Sequence, residues 1–105
     1  MEACIDCTRE MLTNPVELEI KGAYVDFGMA ECLAWSLARR LKKDPMLLSW
    51  FSREDGLYSP RVECCGDEKP AWLIYAESRG ADLPVSINRE QFVFVFWGED
   101  RDSAE

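Results

Sequence analysis

The chain has 105 residues, a net charge of −8 and no histidine. With 48% hydrophobic, 11% aromatic and 30% charged residues, it is too apolar to stay disordered, and long enough for one domain to bury a core unaided by disulfides or metal. The charge balance argues against nucleic acid or an anionic membrane surface as a partner. The missing imidazole removes Ser-His-Asp and Cys-His catalysis, histidine proton shuttles and imidazole-ligated metals.

Met1-Glu2-Ala3-Cys4 has neither a basic start nor an apolar stretch of about 7–15 residues, and no window approaches the roughly 18 apolar residues of a membrane span. A cytoplasmic protein is expected, and in that reducing setting five cysteines need not pair. Residues 1–15 read as an N-terminal extension carrying C-x-x-C spacing at Cys4-Ile5-Asp6-Cys7. Val16, Leu18 and Ile20 then alternate with Glu17, Glu19 and Lys21, the period of a strand with one wet face, and Gly22 ends it.

From Asp26 to Lys43 the apolar residues Ala30, Leu33, Ala34, Leu37 and Leu41 recur at helical spacing in a stripe about 100° wide. Asp26 is the expected N-cap. Arg39, Arg40, Lys42 and Lys43 suit the negative end of the helix dipole, and Asp44-Pro45 is the expected stop. Beyond Pro45 the pattern predicts strands at Leu47–Arg53, Leu57–Cys64, Ala71–Glu77, Leu83–Ile87 and Phe92–Trp97. Asp55-Gly56 signals a hairpin between the first two, because both residues tolerate positive φ. Pro60 confines its strand to an edge or a bulge. The predicted order is β-α-β-β-β-β-β, an α+β domain over residues 1–97 whose mainly antiparallel five- to six-stranded sheet carries one long helix on one face. Residues 98–105 read as an acidic, fraying tail.

Phe92-Val93-Phe94-Val95-Phe96-Trp97 is apolar throughout, so this strand is expected to be buried on both faces. One helix shields only two or three strands, since it is about 10 Å across and strands lie about 4.8 Å apart. The sheet must therefore curl on itself or meet a partner. Val93, Val95 and Trp97 are candidate interface residues, as is Trp35, about 140° from Ala30 around the helix. The competing reading places Trp35 under a segment of its own chain.

Cys4, Cys7, Cys64 and Cys65 offer four thiolates, enough for a tetrahedral zinc or another thiolate-bound metal, or for thiol redox chemistry. Adjacent strand residues point to opposite faces, so Cys64 and Cys65 reach one ion only where the chain leaves the strand at Gly66. Unliganded thiols are the simpler account. Arg61, Glu63, Tyr75 and Asp82 lie on or near the predicted central strands, and together would form a polar pocket at the sheet mouth.

The run PMLLSWFSREDGLYSPRVECC, with WLIYAESRGADLPVSIN and FVFVF after it, resembles a small family of uncharacterised α+β domains from anaerobic bacteria and archaea. The resemblance spans Val16 to Trp97. It implies a compact stand-alone domain in the cytoplasm and supplies no catalytic residues. The expected function is non-enzymatic: a protein-interaction domain, or one that associates with itself. The alternatives are a thiolate metal or redox protein and, more remotely, a small-molecule-binding domain.

Overall fold

The computed structural model describes residues 7–61 and 69–100. A 3₁₀ turn at Arg9–Met11 leads to β1 (Val16–Leu18), α1 (Phe27–Leu41), β2 (Lys42–Ser52), β3 (Leu57–Ser59), α2 (Ala71–Ser78), β4 (Leu83–Ile87) and β5 (Phe92–Asp100). The five strands form one sheet in the order β1-β4-β5-β2-β3. β1 pairs with β4 in parallel, and the other three pairings are antiparallel. The sheet is thus mixed, and β1-α1-β2 is a split crossover with β4 and β5 inserted between its two strands. Both edge strands are three residues long, which limits the backbone they offer to another chain.

α1 starts where Asp26 Oδ1 accepts a hydrogen bond from the Met29 amide at 2.8 Å, the N-cap expected from the sequence. Its buried stripe is Ala30, Ala34 and Ala38. Their small side chains bring the helix close to Phe92, Phe94, Phe96, Val85 and Ile87 of the sheet. Leu33 and Leu37 flank this stripe, while Leu41 is largely exposed. Asp44-Pro45 does not stop the helix: α1 ends at Leu41, Lys42 turns to extended backbone, and Asp44, at φ 44°, belongs to an irregular stretch of β2.

Residues 71–78 are the main departure from the sequence reading, being a helix and not a strand. The Pro70 carbonyl accepts from the amides of Leu73 and Ile74 at 3.0 and 3.1 Å, so Pro70 caps the start. At the other end the Ala81 amide donates to Ala76 O and the Gly80 amide to Glu77 O, with Gly80 at φ 85°. This is a Schellman cap with glycine in the left-handed position. α2 lays Trp72, Leu73 and Ala76 against Val93, Val95 and Phe51, together with Cys7 and Leu12 from the N-terminal segment.

β5 is therefore the middle strand of a three-layer α/β/α arrangement. Its phenylalanines face α1 and its valines face α2. Burial on both faces is observed, and the cover on the second face comes from the chain itself. β5 also runs on through Gly98-Glu99-Asp100, so the first three residues of the expected tail are strand. The hairpin at Asp55-Gly56 is present with a four-residue loop, because Ser52 pairs with Leu57. No helix among the described residues is long and apolar enough to cross a membrane.

Candidate functional site

Cys7 is fully buried in the α2-side cluster, where a thiol packs as a small hydrophobe. Cys4, Cys64 and Cys65 lie outside the described residues, as does Glu63. Among the described residues no group of three or more histidine, cysteine, aspartate or glutamate side chains is placed to hold a metal ion. Among the described residues, Arg61, Tyr75 and Asp82 are not brought together in one cavity. Arg61 is exposed, with its guanidinium 5.6 Å from the Tyr58 ring centroid. Tyr75 sits on α2 and Asp82 at the entry to β4, each lining a different cavity.

Of the expected interface residues, Val93 and Val95 are buried under α2 and do not reach the surface. Trp35 meets Phe96 of its own chain edge-on, at 5.0 Å between centroids and 78° between planes, and the Arg39 guanidinium lies 5.0 Å from its ring. Ala38 explains the placement. At about 80° from Ala30 around the wheel it widens the buried stripe towards Trp35.

Trp97 is different. It is the next residue of β5 on the valine side, but it stands past the C-terminal end of α2 and is 40% exposed. Its cross-strand partner is Met46, 53% exposed. With Leu48, Tyr75 and Arg79 these two line an open cleft of about 390 Å³. Arg79 lies over the Tyr75 ring at 3.8 Å, so the cleft has three apolar walls and one cation-capped aromatic wall. Strand alternation puts Glu99 on the same face as Trp97. The backbone of Gly80, the α2 cap, passes close to the Trp97 indole: a Cβ there would lie 3.6 Å from it.

At the same end of the sheet, the Lys42 side chain is almost fully buried, and its Nζ donates to Asp82 Oδ2 at 2.7 Å and Asp100 Oδ1 at 2.6 Å. Burial by itself pushes the Lys42 ammonium down. The hydrogen bonds it donates to Asp100 and Asp82, with the charges behind them, outweigh that and leave its pKa above the usual lysine value. This triad pins the end of β5 and the entry of β4 to the start of β2.

A family model described as a domain of unknown function (DUF5619) matches residues 13–96, which take in every strand and both helices except the last residues of β5. The chain belongs to this family. The fold is similar to the crystal structure of a protein from Archeoglobus fulgidus, described as a novel non-family-model protein, at a TM-score of 0.71 and 32% identity, covering 84% of this chain and 96% of that one. A curated protein from Archaeoglobus fulgidus, described as an uncharacterized protein, is 47% identical over 51 residues. The chain spans about half the length of this relative, 54%, and the match covers 49% of the chain itself. None of these descriptions names an activity. The matched residues include Met46, Leu48, Tyr75 and Arg79, while Trp97 follows one position after them.

The cleft was half legible. Trp97 was expected at an interface and Tyr75 in a polar pocket, but Met46, Leu48 and Arg79 were not singled out, because joining these residues requires α2 to be read as a helix. The signal that could have found it is the pair Pro70 and Gly80 bracketing an apolar run.

Proposed function

We infer that this DUF5619 domain is a non-enzymatic cytoplasmic protein that associates with a second copy of itself through the Trp97 cleft. The observation that carries the reading is the pairing of two large exposed apolar side chains, Trp97 and Met46, on adjacent strands at a part of the sheet that α2 leaves uncovered. Charge favours a second copy as the occupant, because Arg79 and Glu99 flank Trp97 with opposite signs. A two-fold axis near Trp97 sets Arg79 of each copy against Glu99 of the other, as an isologous interface requires. The exposed cysteine thiol at Cys32 and the acidic composition suit a reducing, aqueous cytoplasm.

Five residues line the cleft, against roughly 20–30 on each side of a standard interface, and −8 on each copy opposes approach. The expected affinity is accordingly micromolar, about −8 kcal/mol. A charge-reversal cycle read by sedimentation equilibrium tests the assignment. Arg79→Glu and Glu99→Arg each weaken the dimer, and the double variant restores it. A chain that stays monomeric at high micromolar concentration, or single and double variants that dimerise alike, contradicts the reading.

A further inference from the structure

A second, more enclosed cavity of about 360 Å³ lies on the other flank of α2, between that helix, the residues after the 3₁₀ turn, and β4 with β5. Its apolar wall is made by Leu12, Leu73, Pro84 and Val95, and Lys69, Glu77, Asp82, Thr13 and Asn14 supply the polar wall. A cavity of this volume, lined about equally by apolar and polar side chains, can take a small molecule with an apolar body and a polar group.

The charges select the ligand. Lys69 Nζ donates to both carboxylate oxygens of Glu77, at 3.0 and 2.9 Å, and so is neutralised within the wall. Asp82 gives only its Oδ2 to Lys42. Lys42 in turn is shared with Asp100, which does not line the cavity. Two carboxylates therefore face one ammonium inside the cavity, and the surplus negative charge sits at Asp82. Asp82 Oδ1 has no hydrogen-bond donor among the described residues. Thr13 and Asn14 also line the cavity, and their side-chain oxygens can act as further acceptors. The field of a chain carrying −8 draws cations towards it and turns anions away.

We propose that this cavity binds a small organic ammonium compound, its apolar body on Leu73 and Val95 and its cation on Asp82. The site is separate from the Trp97 cleft and shares no lining residue with it.

Titration of ¹⁵N-labelled protein at neutral pH with phenethylamine tests this, beside its uncharged and anionic counterparts, 3-phenylpropanol and 3-phenylpropionate. The amine is expected to give saturable amide shifts confined to residues 12–14, 73–77 and 81–82, and 3-phenylpropionate none. Asp82→Asn weakens amine binding by about tenfold or more, as loss of a charge-assisted hydrogen bond does. Asp100→Asn leaves Lys42 to Asp82 alone and weakens binding less than Asp82→Asn does, since the carboxylate that the ligand touches is still present. Ala81→Leu narrows the chamber without altering a charge and abolishes binding. The same spectra report whether each variant is folded. Shifts that are absent, that appear equally with 3-phenylpropionate, or that weaken equally in Asp82→Asn and Asp100→Asn overturn the proposal.

Discussion

At Gly98 the chain has no room for a side chain. An added Cβ would lie 2.9 Å from Lys42 Cβ, 3.2 Å from the Lys43 carbonyl oxygen and 3.3 Å from Pro45 Cα. The last two are backbone atoms of the irregular start of β2 and cannot swing aside. Gly98→Ala should cost about 1–3 kcal/mol in urea unfolding, the usual range for overpacking. Two buried serines make a contrasting pair. Ser86 Oγ donates to Glu90 Oε2 and accepts from the Glu90 amide, both at 3.0 Å, whereas Ser49 Oγ is buried without a partner. Ser86→Ala should therefore destabilise by about 1 kcal/mol or more while Ser49→Ala is neutral or stabilising, because an unpaired buried hydroxyl carries a desolvation cost. Equal losses at the two sites would contradict this. Lys42 gives a pH test whose sign is set by its raised pKa. Its contribution is complete below the unfolded value of 10.5 and is lost as pH rises through the higher folded value. The stability difference between wild type and Lys42→Met should hold steady from neutral pH to near 10.5 and then shift in favour of the variant. A flat difference through the alkaline range would show that the triad does not hold the proton.

At the level of elements, α2 decides how the sheet is closed. Trp72 is 1% exposed and stacks on Phe51 at 5.3 Å with 8° between planes. Trp72→Ala should cost about 3–5 kcal/mol and uncover Val93 and Val95, so binding of a hydrophobic dye should rise before global unfolding. An intact, dye-silent variant would mean that the valine face has another cover. The sequence stated the need for this layer through the unbroken apolar run of β5, yet looked for its source in a curled sheet or a partner. Ala71 to Glu77 holds too few residues for helical and strand periods to be told apart, and its Trp, Ile and Tyr favour a strand. Tertiary packing overrode that preference. The N-cap at Asp26, the hairpin around Asp55 and the doubly buried β5 were readable because each rests on local chemistry or an unambiguous pattern. The parallel pairing of β1 with β4 was not, since Val16 and Val85 meet across most of the chain. For the same reason no local pattern brings Lys42 to Asp82 and Asp100, or Met46 to Trp97.

For the molecule as a whole, two helical layers cover the two faces of one sheet. Where the sheet runs past α2, Trp97 and Met46 remain open to solvent. On the proposed reading β5 divides its apolar side chains by role along a single face: Val95 packs in the chain's own core, and Trp97 would hold a second copy. Sedimentation and urea unfolding carried out on the same pair of variants test it most directly. Val95→Ala should lower the unfolding free energy by about 1–3 kcal/mol and leave the dimer dissociation constant unchanged when measured where the variant is fully folded. Trp97→Ala should abolish association with a much smaller loss of stability. If Trp97→Ala associates as the wild type does, or if both are monomers throughout, the division fails and the Trp97 cleft is not an interface.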